Sequence, residues 1–118
     1  MKTLIRTFTF ALSALILFNL SSCKKCKGEE PRARITNNGT NKASVQIKTS
    51  NGNTVNINNV DPGTSSDYSS YAAGDVTFTI SVAGHDYVKT VPMQECFEYD
   101  IAIDQNNNIT STPTDRNE

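Results

Sequence analysis

Tryptophan is absent from this chain, and histidine occurs once, at position 85. The first absence removes the indole platform on which sugars commonly stack. The second leaves little for acid–base chemistry, because His85 lies in a Gly-containing reversal, Ala83-Gly84-His85-Asp86. Ser65, Ser66, Ser69 and Ser70 have no Gly-x-Ser-x-Gly setting, so a nucleophile elbow is excluded. No catalytic residue, cofactor or metal site is expected, and the chain does not read as an enzyme. Zinc from Cys23, Cys26, Cys96 and His85 has nothing to bring His85 near the cysteines. The run Asp104–Asn108 starts like a calcium loop but lacks the glycine and the distal glutamate that such a loop needs.

Charge is sparse and nearly balanced, eleven Lys and Arg against twelve Asp and Glu. Removing Lys2 and Arg6 with the leading segment leaves nine against twelve. Nucleic acid is therefore not an expected partner, since phosphate neutralisation requires a basic face.

Long apolar runs are also missing, apart from Thr7–Leu20. That run follows Lys2 and Arg6 and falls short of the roughly 20 apolar residues of a membrane span. It has the order of a secretory signal peptide: basic start, apolar middle, small residues after. The residues Leu20-Ser21-Ser22-Cys23 resemble the lipobox of bacterial lipoproteins. The resemblance implies cleavage before Cys23, lipid on its thiol and a membrane as partner. Lys24 in place of an inner-membrane retention aspartate favours the outer membrane of a Gram-negative bacterium, on its periplasmic or its surface face. Residues 1–22 are then a removed signal peptide, 23–32 a lipidated tether, 33–112 the domain and 113–118 a disordered tail. Lys24, Lys25 and Lys27 could touch anionic headgroups or serve only as solvated tether.

Cys23 and Cys26 have the spacing of a redox dithiol, but a lipidated Cys23 cannot be one of two free thiols. Cys26 and Cys96 remain, an even pair in an oxidising compartment, so a disulfide between them is expected.

From Ala33 onward apolar residues recur with period two. Val45 and Ile47 form one run and Val55 and Ile57 a second. Val76, Phe78, Ile80 and Val82 form a third; Phe97, Tyr99, Ile101 and Ile103 form a fourth. Such runs are strands with one face on a core. The predicted strands are 33–37, 44–49, 54–59, 65–70, 76–83, 87–91, 95–104 and 108–112. Asn51-Gly52 predicts a type I′ hairpin turn, Asp61-Pro62-Gly63 a type II turn, and Asn106–Asn108 a further hairpin. The fold class is all-β: a single small antiparallel β-sandwich of seven or eight strands. The stretch from Asp67 through Tyr71 and Gly74 into Val76–Ile80 is similar to small immunoglobulin-like or transthyretin-like domains in lipoproteins of Bacteroidetes. That resemblance implies a sandwich and assigns no functional residues.

Three functions fit this organisation. The first is a lipid-anchored, non-catalytic binding or structural module whose protein or glycan ligand the sequence does not name. The second is an inhibitor or immunity-type lipoprotein acting through a protruding loop, and the third an enzyme with acids gathered around His85. Tyr68, Tyr71, His85 and Tyr87 are the candidate ligand-binding residues, with the loops 61–75 and 84–87 as their frame.

Overall fold

The computed structural model describes residues 26–117. The signal segment, Cys23, Lys24 and Lys25 lie outside the described residues. Nine strands follow one another: β1 Arg32–Asn37, β2 Ala43–Lys48, β3 Thr54–Val60, β4 Thr64–Ser65, β5 Ser69–Ser70, β6 Gly74–Val82, β7 His85–Met93, β8 Phe97–Ile103 and β9 Ile109–Asp115. They form a β-sandwich. One sheet has the order β4-β1-β8-β9, with β5 also paired to β1, and the other has the order β3-β2-β6-β7.

The period-two runs place one row of side chains inside. Ile35, Ile47, Val76, Phe78, Ile80 and Ile101 are fully shielded from solvent, and Val45, Val82, Val91, Met93, Tyr99 and Ile103 are among the residues that pack with them in the core. Each large aliphatic or aromatic side chain buried in this way contributes roughly 1.5–3 kcal/mol. All pairings are antiparallel except one. Strand β1 runs parallel to β8, Arg32 opposite Glu98 through Asn37 opposite Ile103. Parallel neighbours need a long crossover, and everything from β2 to β7 supplies it.

The hairpins follow local chemistry. Ala83 and Gly84 join β6 to β7 as a two-residue turn with φ of 51° and 84°, the type I′ requirement. At Asn51-Gly52 the structure departs from expectation. The loop has three residues, the Gly52 N–H donates to the Thr49 carbonyl, and only Gly52 has positive φ. A type I turn followed by a left-handed glycine closes that hairpin. Asp104–Asn108 repeats the design, with Asn107 at φ 64° and the Asp104 carboxylate accepting the N–H groups of Asn106 and Asn108. This is a hairpin turn in which the carboxylate is engaged by its own loop.

Three boundaries are corrected. The expected strand 65–70 is two two-residue strands, because the Ser66 hydroxyl accepts the Ile35 N–H where a main-chain carbonyl would otherwise stand. The expected tail is partly strand: β9 continues through Pro113 to Asp115, paired with Tyr99 and Phe97 of β8. An edge strand can hold its ladder without core side chains, and proline is tolerated there. The expected tether is partly domain. Pro31 is fully buried, and the Glu29 carbonyl accepts the Cys96 N–H at 2.9 Å. The Cys26 N–H donates to Asn117 Oδ1 at 2.8 Å, and Arg116 pairs with Glu29 at 2.8 Å. Residues 26–31 therefore belong to the folded domain.

Candidate functional site

The strand directions divide the sandwich into two ends. Cys26, the 49–53 hairpin, the 71–73 connection, the 94–96 connection and Arg116 gather at the first, the disulfide end. The connections 38–42, 61–63, 83–84 and 104–108 gather at the second. Cys26 and Cys96 are joined at the disulfide end, with Cα atoms 5.8 Å apart. Neither is available as a metal-binding thiolate, and His85 belongs to the opposite end. Among the described residues no cluster of His, Cys, Asp and Glu could hold a metal ion.

The opposite end is knit together by Asn37, a buried residue that the sequence reading did not single out. Its carboxamide N–H₂ donates to the Asn41 carbonyl at 2.8 Å and the Val60 carbonyl at 2.9 Å, and its oxygen accepts the Gly39 N–H at 2.9 Å. The Asn37 main-chain carbonyl accepts the Gly63 N–H at 2.7 Å, and the Asn38 N–H donates to Ile103 at 2.8 Å. Three connections are thus tied to one side chain and its neighbours. A hollow of about 100 Å³ opens beside them, lined by Thr40, Asn41, His85, Tyr87, Gln105 and Asn107 among others. Asn107 donates its amide to the Tyr87 hydroxyl at 3.2 Å. That leaves the Tyr87 hydroxyl proton, the Asn107 carbonyl oxygen, the Gln105 amide and the His85 ring as hydrogen-bonding groups around one small space. The lining also includes Asp104, whose carboxylate accepts the N–H groups of Asn106 and Asn108; together with the amides, hydroxyls and imidazole it suits a hydroxyl- or amide-bearing ligand.

The four candidate ligand residues therefore separate. His85 and Tyr87 meet at the hollow. Tyr68 stands on the outer face of the β1 sheet, where Arg34 and Arg32 cover its ring with their guanidinium carbons 5.1 and 5.7 Å from the centroid. Those arginines pair across the parallel ladder, Arg32 with Glu98 at 2.9 Å and Arg34 with Asp100 at 3.0 Å. The hydrogen bond to Asp100, followed by its charge, holds the Arg34 guanidinium above its ordinary value. Tyr71 is largely buried and borders a separate concavity of about 180 Å³ at the disulfide end, beside Glu30, Thr49, Asn51 and Asn53, away from the hollow. The loop 61–75 likewise divides, with Asp61–Gly63 at the hollow end and Tyr71–Ala73 at the disulfide end.

A second concavity, of about 360 Å³, opens along the side of the sandwich between the edge strands β7 and β9. Val91, Pro92, Phe97, Tyr99 and Pro113 give it a largely apolar wall. The Tyr99 hydroxyl accepts the Gln94 N–H at 2.8 Å and fixes the turn at its base. Periodicity places Phe97 and Tyr99 on a strand, but not the splaying of β7 from β9 that creates this space.

No protein-family model and no curated protein matches the sequence. Among solved structures, the chain is similar to the NMR structure of a protein from Eubacterium rectale, at 17% identity and a TM-score of 0.51. The match covers 75% of this chain and 91% of that one. At that identity the likeness concerns the fold alone.

Proposed function

We propose that the chain is a lipid-anchored, non-catalytic binding module at the outer membrane or cell surface, presenting the hollow at His85 and Tyr87 to its ligand. One observation carries the reading. The disulfide fixes Cys26, three positions after the lipobox cysteine, at the end of the sandwich opposite the hollow. Three extended residues span about 10 Å. A lipid on Cys23 would therefore hold the disulfide end against the bilayer and turn the Asn37 end outward. Two or three acyl chains on one cysteine make such attachment effectively permanent.

The test has two parts. Cells making the wild-type chain are expected to incorporate labelled palmitate, and Cys23→Ala is expected to abolish incorporation and leave an uncleaved precursor. Normal processing of that variant overturns the anchoring. For the ligand, a glycan array probed with the wild-type protein and with His85→Ala and Tyr87→Phe is expected to show binding that both substitutions weaken. Binding that survives both removes the hollow as the site.

A further inference from the structure

The two sheets have four edges, and three of them are obstructed. On one side of the β1 sheet the edge is broken into β4 and β5, two residues each. Its other edge, β9, carries Pro113. Edge strand β7 carries Pro92, and its Lys89 lies opposite Phe78 and so points toward the inner side of the sheet. Short edges, prolines and inward-pointing charges are the devices by which sheets prevent edge-to-edge pairing.

Strand β3 has none of these. Its seven residues Thr54-Val55-Asn56-Ile57-Asn58-Asn59-Val60 include no charge and no proline. Its one irregularity is a bulge where the register shifts between Ala43 and Val45, at the end that holds Asn59 with φ 59°. The stretch from Thr54 to Ile57 keeps a regular register with β2. Val55 and Ile57 lie opposite Ile47 and Val45 and belong to the core face, yet Val55 is 37% exposed and Ile57 only half-buried. Main-chain direction follows from the turn. The Thr49 N–H donates to the Asn53 carbonyl, so by alternation Val55 and Ile57 bond to β2, while the N–H and C=O of Thr54 and Asn56 face outward.

We propose that β3 is the docking edge for a second copy of this chain, pairing antiparallel about Asn56. The sequence is complementary to itself in that register. Asn56 meets its own symmetry mate and exchanges both main-chain hydrogen bonds with it. Val55 meets Ile57 on the inner face, apolar on apolar, and Thr54 meets Asn58, polar on polar. The strand itself carries no charge to repel a second copy, and the union covers the two aliphatic side chains that β3 leaves half-shielded. The four-stranded sheet becomes eight strands wide across a two-fold axis. This inference stands independently of the membrane anchoring.

Sedimentation velocity of the protein purified from cells in mild detergent, at up to about 100 μM where micromolar dimers populate, is the test. The wild type is expected to sediment as a dimer. Asn56→Pro removes an N–H that β2 does not use, and is expected to lose the dimer while keeping the β-sheet circular dichroism of the parent. Val55→Lys, an inward charge on the same edge, is expected to do the same and serves should the proline variant fail to fold. A wild type that stays monomeric across the concentration range overturns the proposal. So does a dimer that persists in folded Val55→Lys, since its interface then lies elsewhere.

Discussion

Cys26 and Cys96 stand seventy positions apart in the chain and 5.8 Å apart at Cα, at the point where both ends of the described chain converge. Cross-linking a loop of that length removes unfolded-state entropy worth about 4 kcal/mol in the chain-entropy model, a ceiling that native ties can reduce. The Glu29–Arg116 pair and the Cys96 N–H to Glu29 bond hold the same segments without the sulfurs. Cys26→Ser is therefore expected to cost 2–4 kcal/mol, at the scale typical of disulfide removal, and to leave a folded sandwich. Urea unfolding with and without reductant measures it: reductant lowers the wild-type midpoint and leaves the variant unchanged.

Asn37 offers a sharper lesion. Truncation to Ala leaves the Asn41 and Val60 carbonyls and the Gly39 N–H without their partner. Buried groups orphaned in this way cost about 1–3 kcal/mol each, less where water reaches them. Asn37→Ala is expected to destabilise by roughly 3 kcal/mol. Amide hydrogen exchange should quicken first in residues 38–42 and 60–64, while β6 keeps its protection.

Gly74 admits no side chain. Its φ is 123°, and a Cβ there would lie 2.8 Å from Ser50 Cβ and 3.0 Å from Ser50 Oγ. The Ser50 hydroxyl is held in place by donating to the Ala73 carbonyl at 2.7 Å. Gly74→Ala is expected to cost at least 2 kcal/mol through strain and overpacking together. Adding Ser50→Gly should recover only the steric part, a difference that thermal unfolding of the double variant reads directly.

Tyr71 gives a dependence on pH. Burial raises its phenol above the ordinary value of 10.0, and the hydrogen bond with Ser69 works in the opposite direction. Since the folded value is the higher, the unfolded chain ionises first. The tyrosine's contribution is complete below about pH 10 and is lost as pH rises through the folded value. Tyr71→Phe is expected to flatten that alkaline decline. Urea midpoints at about pH 8 and pH 11, compared between the two proteins, isolate the effect from the other tyrosines.

Much of this architecture was legible in the residues. Val45 with Ile47, Val76 through Val82 and Phe97 through Ile103 gave their strands by alternation, and setting Cys23 aside as the lipobox cysteine left Cys26 and Cys96 to pair. What escaped was non-local. A parallel partner for β1 is not encoded in β1 itself, but follows from which strand the sandwich leaves beside it. Pro113–Asp115 looked like tail because a sheet edge asks nothing of its side chains. Ser66 splits a strand only through the position its hydroxyl takes up beside Ile35. Of the candidate site, His85 and Tyr87 were legible as turn and strand-end residues. Asn37 was not, since an asparagine before a Gly turn reads as surface until its amide is found buried.

The parallel course of β1 and β8 has a mechanical meaning. Tension entering at Cys26 passes through sulfur to Cys96 and through the chain to β1, and so reaches the starts of both strands together. Pulled against a grip on the far loops, the two strands are drawn in the same direction along their length. Their shared ladder is then neither peeled bond by bond nor sheared between its own two members, and the strain falls on the outer pairings with β4, β5 and β9.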